Sequence, residues 1–148
     1  MIIDNPSEKD FPSLLNLWKE AFGDSDEFIN TFKETAFSTK RSRVIKKDDE
    51  VLAALYWFDC TVYGRPIAYI YAVATLKAYR GQGLCKRLMI DTHTHLKNSG
   101  YEGAILVPGS KELFEFYKNL GYKTCTYIKT VECLPEKSDL KLTQIRKD

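Results

Sequence analysis

The stretch AYRGQGLCKRLM, residues 78 to 89, places an arginine and two glycines directly before an apolar repeat of helical spacing. A turn that leads from a strand into a helix points several unpaired backbone N–H groups and the positive end of the helix dipole at one place. An anion is stabilised there, and glycine lets it approach the backbone closely. This segment therefore predicts a phosphate-binding turn.

Two common phosphate-binding motifs do not fit these residues. A P-loop has four residues between its glycines and a serine or threonine after its lysine, whereas Arg87 follows Lys86 here and one residue separates the glycines. A dinucleotide fingerprint has a third glycine at the position of Lys86 and follows the first strand of its domain. The turn therefore belongs to a different type of phosphate-binding site.

The segments around the turn alternate between strand and helix patterns. Their order is β-α-α-β-β-β-α-β-α-β, which predicts a mixed sheet with helices on both faces. The predicted strands are residues 1–3, 41–47, 50–63, 67–76, 102–107 and 122–133, and the predicted helices are about 7–22, 24–36, 84–98 and 110–120.

Capping residues and apolar faces support the helices. Ser7 or Asp10 caps the first helix, Asp24 or Ser25 the second and Ser110 the fourth. The side chains expected to face the core are Phe28, Ile29 and Phe32 in the second helix, and Leu84, Leu88, Thr92 and Leu96 in the third.

Length and composition are typical of one globular domain. We expect residues 1–134 to form that domain and residues 135–148 to be a polar tail. A net charge of +2 among 148 residues gives no indication of a nucleic-acid partner. The longest apolar run, residues 51–58, is too short to span a membrane, and MIIDNPSEKD lacks the basic and apolar regions of a signal peptide, so we expect a cytoplasmic protein.

The cysteines and histidines do not have the spacing of a metal site. No C-x-x-C pair occurs, and we expect the four cysteines to be reduced and mostly buried. His93 and His95 point away from each other on a helix, so we interpret them as surface residues and predict no metal.

The segment AVATLKAYRGQGLCKRLM resembles the acetyl-coenzyme A motif of the GNAT acetyltransferase superfamily, in which [RQ]-x-x-G-x-[GA] corresponds to Arg80, Gly83 and Cys85. FYKNLGY, residues 116 to 122, is similar to the family's F-Y-x-x-x-G-[FY]. The segments VAT, residues 73–75, and YRGQGL, residues 79–84, further resemble the acetyltransferase domain of the enhanced-intracellular-survival type. The resemblance implies an α+β, three-layer fold with a central mixed sheet, and acetyl-CoA as cofactor.

It also implies roles for individual residues. Tyr117 would protonate the leaving thiolate, and a bulge in the fourth strand would open a cleft for the pantetheine arm. Ser110 is either a pantetheine contact or a plain helix cap. The residues implied to contact the cofactor are Val73, Ala74 and Thr75 along the strand, then Arg80, Gly81, Gln82, Gly83, Leu84, Cys85 and Lys86 around the diphosphate.

The implied reaction is transfer of an acetyl group to a primary amine, either a small cationic amine or an exposed protein amine. Relatives that carry a glutamate base have it where Tyr69 stands, so proton removal would use a water chain, Asp59 or Glu27, or an amine that arrives neutral.

Acceptor binding is predicted for Asp26, Glu27, Tyr69 and Tyr71, although the two acids can equally serve the second helix as caps. A non-catalytic acyl-CoA-binding module and a homodimer are left open as alternatives.

Overall fold

The computed structural model describes residues 1 to 126, which form a five-stranded sheet with helices on both faces. The strands lie in the order of the chain; each of the first four pairs antiparallel with its neighbour, and the fifth pairs parallel with the fourth. The strands are β1 (Ile2–Asp4), β2 (Ser42–Lys47), β3 (Glu50–Val62), β4 (Arg65–Thr75) and β5 (Gly103–Ile105). The helices are α1 (Phe11–Phe22), α2 (Asp26–Thr35), α3 (Leu84–Asn98) and α4 (Glu112–Lys118).

Two apolar cores hold three layers together. One core joins α1 and α2 to one face of the sheet, and Leu14, Leu17 and Ile29 are buried in it. The other core joins α3 and α4 to the opposite face. The four α3 residues predicted to face inward are all buried, because their spacing keeps them on one side of the helix. The predicted α+β, three-layer class with a mixed sheet is confirmed.

Several local predictions were wrong. Phe28 is 47% exposed, since α2 turns this residue toward the α1–α2 loop and away from the sheet. Ser110 is not the cap of α4, which begins at Glu112 after Lys111. β5 is shorter than predicted, as its pairing with β4 stops at Ile105.

The end of the chain lies outside the described residues. This includes most of the predicted last strand, Cys133, the domain boundary at 134 and the tail 135–148. Residues 122–126 are described and have no strand conformation. Among residues 1–126, no helix is both long enough and apolar enough to cross a lipid bilayer.

The cysteines and histidines differ from expectation in their burial. Cys60 and Cys85 are half-buried free thiols and Cys125 is an exposed one, so they are not mostly buried. Both histidines are half-buried: Nε2 of His93 lies 2.8 Å from the hydroxyl oxygen of Tyr122, and His95 packs near Trp57. In the described part of the chain, no three potential ligand side chains come together as a metal site.

Asp10 joins the start of α1 to the sheet, and its replacement should destabilise the fold. Its carboxylate accepts hydrogen bonds from the Ser7 N–H at 2.6 Å and from Lys46 Nζ at 3.0 Å. Burial raises the pKa of Asp10, but these hydrogen bonds outweigh burial and the net shift is downward. The ionised form therefore stabilises the protein at neutral pH, and this contribution is lost as the pH falls through the lowered pKa.

We expect Asp10→Asn to lower the free energy of unfolding by about 1–3 kcal/mol at pH 7, because Lys46 loses its buried partner. Urea unfolding at pH 7 measures the effect, with the exposed Glu34→Gln as the control. Equal stabilities of Asp10→Asn and the parent at pH 7 would contradict this role.

Candidate functional site

The sheet opens between β4 and β5. Their parallel pairing is confined to three positions, from Ile67 opposite Gly103 to Tyr69 opposite Ile105. Gly103 permits the close approach at the paired end, since a Cβ atom there would lie 3.2 Å from Cδ1 of Ile67. Beyond Tyr69, residues 70–75 of β4 have no strand partner on this side among the described residues, and a cleft results.

A β-bulge bends the open part of β4. Ala54 pairs with Ala74 but Tyr56 pairs with Tyr71, so β4 carries one extra residue between the two pairs. Ala72 adopts a φ of 49°, a left-handed conformation that costs a residue with a Cβ about 1–2 kcal/mol. The bulge expected from the resemblance is therefore present, and it changes the direction of the backbone from Val73 onward.

The end of β4 contains a polar atom without a partner. The hydroxyl oxygen of Thr75 is buried and makes no hydrogen bond within the described residues. Its backbone carbonyl accepts a hydrogen bond from Nε of Arg80 at 3.1 Å, which folds the arginine back against the strand. An unpaired buried hydroxyl is costly unless a ligand satisfies it, so the cleft can accommodate a polar ligand here.

The glycine turn leaves backbone donors unpaired at the start of α3. Gly81 and Gly83 have φ values of 76° and 75°, and a Cβ added at either would meet no atom within 4 Å. No side chain among residues 1–126 caps α3. From Gly81 onward, the first backbone amide that donates to an earlier carbonyl is that of Arg87, which lies 3.0 Å from the carbonyl oxygen of Gly83. The amides of residues 81–86 have no partner in the part of the chain described, so this open cradle suits an anion.

The other residues of the turn anchor it. Leu84 is buried in the core beneath the helix, whereas Lys86 is exposed. The side chain of Gln82 donates to the carbonyl of Ala78 at 3.4 Å. Cys85, which stands where the motif has glycine or alanine, is half-buried, and burial raises the pKa of its thiol to about 11. It is a protonated, apolar side chain that leaves the space in front of the amides open.

Tyr117 lies in the same core as the beginning of α3. Its side chain is 7% exposed, and its ring packs edge-on against Phe116 and Tyr122. Burial, with a smaller contribution from the nearby Cys85, raises the pKa of Tyr117 to about 12. The hydroxyl is therefore protonated at neutral pH and makes no hydrogen bond within the described residues. A protonated hydroxyl therefore lies in the core shared with the beginning of α3, near Cys85.

Ser110 precedes α4 and is exposed. Its side chain hydrogen-bonds to Glu112 and lowers the pKa of that carboxyl group. This contact differs from a helix cap, in which the hydroxyl would accept from a backbone amide two or three residues ahead.

The α1–α2 loop holds its acidic residues by different contacts. The Ser25 hydroxyl caps α2 by accepting from the Phe28 N–H at 3.2 Å, as the sequence indicated. Asp26 forms an exposed ion pair with Lys19. Asp24 accepts a hydrogen bond from Nε1 of Trp18 at 2.7 Å. Glu27 is exposed on the first turn of α2.

Aromatic side chains continue from this loop along the sheet. Tyr69 and Tyr71 lie on the α1–α2 face of β4, the face opposite Tyr117, and both are half-buried. Phe58 packs between them, 6.3 Å from Tyr69 and 5.5 Å from Tyr71 between ring centroids. Because Tyr69 is the last β4 residue paired with β5, the two tyrosines lie where the cleft begins.

Asp59 is poorly placed to be a base. The hydrogen bond from Tyr101 lowers its pKa, and Arg41 adds to this effect against the opposing influence of burial. Its register partner is Ala68, at the closed end of the β4–β5 pair. The sequence did not reveal this, because the residues that bind Asp59 come from segments distant in the chain.

The residues thus form two groups on opposite faces of the sheet, and the cleft connects the faces. The glycine turn and Tyr117 lie on or beside the α3 face, whereas the acidic loop and the tyrosines lie on the α1–α2 face. The bulge contributes to both cores, Ala72 to the α1–α2 core and Val73 to the α3 core. Sequence reasoning did not assign Trp18 to the site, and it counted Asp24 in the acidic loop without distinguishing it from Asp26 and Glu27. Alternation along β3 and β4 finds the tyrosines, but nothing in the sequence pairs Asp24 with Trp18.

Comparison with known proteins gives the same fold. Residues 3–125 match the family described as acetyltransferase (GNAT) domain. A Trypanosoma brucei acetyltransferase is similar at 18% identity and a TM-score of 0.69, with 89% of this chain and 99% of that one covered. Glucosamine-6-phosphate N-acetyltransferase from Arabidopsis thaliana is 20% identical, with a TM-score of 0.69 and coverage of 88% and 97%.

An aminoglycoside 6'-N-acetyltransferase from Acinetobacter haemolyticus is 14% identical, with a TM-score of 0.69 and coverage of 92% and 100%. No curated protein matches the chain in sequence.

Proposed function

The chain belongs to the GNAT acetyltransferase family, and on that premise we propose that it transfers the acetyl group of acetyl-CoA to a primary amine. The observation that carries the proposal is the combination, on one side of the sheet, of an opened β4 edge, unpaired amides at the glycine turn and a protonated tyrosine. The similarity to the enhanced-intracellular-survival type stays a prediction.

The unpaired donors fit the cofactor. The amides of residues 81–86 bind the diphosphate, and Arg80 and Lys86 add positive charge beside it. The backbone of Val73, Ala74 and Thr75 binds the pantetheine arm along the open edge of β4, and the unpartnered hydroxyl of Thr75 gains a hydrogen-bonding partner there. Ser110, which precedes α4, is a further candidate contact of the arm.

The side chains and amides then perform the transfer. Acetyl-CoA supplies a thioester whose carbonyl carbon is attacked by the amine, so that a C–N bond forms and the C–S bond breaks. An amide near Val73 donates to the carbonyl oxygen, where negative charge develops. Tyr117 donates its proton to the departing sulfur, and the amine releases its surplus proton to solvent or to an acid such as Glu27.

A thiol-release assay tests this function. The protein is incubated with acetyl-CoA and a panel of amines, and the product is identified by mass spectrometry. We expect amine-dependent release of coenzyme A and an acetylated amine. Tight coenzyme A binding without transfer to any amine would support the alternative of a non-catalytic acyl-CoA-binding module and would overturn the enzymatic proposal.

A further inference from the structure

Asp24 is the acid of the α1–α2 loop that is hydrogen-bonded to a buried side chain. One carboxylate oxygen accepts from Nε1 of Trp18, whose ring is buried beneath the loop. The same ring packs against Tyr71, with 5.9 Å between the ring centroids, so Trp18 joins the carboxylate to this tyrosine. Burial raises the pKa of the Tyr71 hydroxyl, and the charge of Asp24 raises it further. The second oxygen of Asp24 has no partner among residues 1–126. Its orientation is therefore fixed while one acceptor stays available.

Aromatic rings flank the loop that carries this carboxylate. Phe22 and Phe28 are 46% and 47% exposed, although both pack against Trp18 on their inner sides. From Tyr71, at the start of the cleft, Phe58 and Tyr69 continue the row along the sheet to the last paired position of β4. Exposed rings beside one fixed charge are unfavourable in water, and they favour a ligand with both an apolar surface and a cation.

Apart from Glu27, the remaining charges near the loop are already paired. Lys19 and Asp26 form an ion pair, and the carboxylate of Glu20 accepts from the backbone of Lys77. A phosphorylated acceptor would need a free basic group, and a polycation would need several free acids. The described residues around Asp24 provide neither arrangement, because Glu27 is the one other acid of the loop without a contact.

We infer that the acceptor is a primary monoamine with an aromatic or otherwise flat apolar body, whose ammonium group is bound by Asp24 and whose body lies on the row of Tyr71, Phe58 and Tyr69. The same nitrogen is the attacking atom, so the bound ammonium group releases one proton to solvent before the C–N bond forms. This inference rests on the proposed function and specifies its substrate class. Asp24, rather than Asp26, determines specificity, since Asp26 is neutralised by Lys19.

The test uses the thiol-release assay to compare acceptors that differ in charge and in apolar surface. 2-Phenylethylamine carries one ammonium group and an aromatic body, propylamine lacks the body, spermidine carries several cations and glucosamine 6-phosphate carries an anion. We expect kcat/KM for 2-phenylethylamine to exceed the other values by about tenfold or more, because among these acceptors it alone buries an aromatic ring against the row.

Single substitutions then identify the acidic residue that binds the ammonium group. An asparagine side chain retains an oxygen for Trp18 Nε1, so Asp24→Asn should fold normally, and we expect its KM for 2-phenylethylamine to rise about 10- to 100-fold with kcat little changed. Glu27→Gln and Asp26→Asn test whether another acid near the loop binds the ammonium group instead. The exposed Glu34→Gln controls for the change in net charge. Phe58→Leu should raise the same KM while leaving that for propylamine unchanged.

The outcomes separate this inference from the function on which it rests. No transfer to any amine overturns the proposed function. Transfer with a preference for spermidine or glucosamine 6-phosphate, or a larger rise in KM from Glu27→Gln than from Asp24→Asn, overturns the inference alone. If light scattering shows a dimer that Phe28→Asp dissociates, and the acceptor preference is absent, the apolar surface is an interface between copies.

Discussion

Replacing Gly83 by glutamate should abolish measurable binding of coenzyme A. The residue begins α3 with a φ of 75°, and the space in front of it is open to the proposed diphosphate. A carboxylate at about 4 Å from a phosphate charge costs roughly 4 kcal/mol at the effective dielectric constant near a protein surface, or about a thousandfold in affinity. Calorimetric titration of parent and variant with coenzyme A measures this loss.

The control for backbone strain is Gly64→Glu. Gly64 has a φ of 76° and equally open surroundings, but it lies in the β3–β4 turn at the opposite end of β4 from the cleft. Both variants bear the same charge and a similar conformational cost, so only the location differs. If Gly83→Glu binds as tightly as Gly64→Glu, the diphosphate is bound elsewhere.

Tyr117→Phe should lower turnover by about 10²–10⁴-fold and leave the affinity for coenzyme A nearly unchanged. The substitution removes a proton donor but keeps the ring that packs in the core beneath α3. Because the pKa of Tyr117 is raised to about 12, the parent should not lose activity through deprotonation of this residue below pH 10. Single-turnover thiol release with the best acceptor measures the effect.

Tyr122→Phe is the matched control. Tyr122 contacts Tyr117, and its hydroxyl is paired with His93 instead of facing the proposed reaction centre. Its removal should change turnover by less than about tenfold. Parental turnover in Tyr117→Phe would mean that this tyrosine is a core aromatic and that the thiolate is protonated by solvent.

The order of elements and the glycine turn were predictable because their signals are local. Apolar residues recur along α3 with helical spacing, and all of the predicted inward positions are buried. Glycines follow the ends of two helices: Gly23 caps α1 with a φ of 70°, and Gly100 comes after the cap of α3 with a φ of 90°. In these segments backbone preference and burial favour the same structure, so tertiary contacts do not alter the predicted elements.

Predictions that depend on tertiary partners were less reliable. Asp24, Asp26 and Glu27 are equivalent by sequence, yet Trp18 binds the first and Lys19 the second. Ser110 was predicted as a cap because its residue type favours that role, but α4 begins at Glu112. The extent of the cleft was also not predictable, because Ile105, at which the pairing ends, continues into an apolar run that resembles a longer strand.

A crystal structure of the complex with coenzyme A is the decisive measurement for the cofactor site. The account predicts that the diphosphate accepts hydrogen bonds from the amides of residues 81–86, and that the pantetheine arm lies between β4 and β5. It also predicts that the Tyr117 hydroxyl is in hydrogen-bond contact with the sulfur atom, directly or through one water. A diphosphate bound away from the glycine turn, or a sulfur atom out of reach of Tyr117, would contradict it.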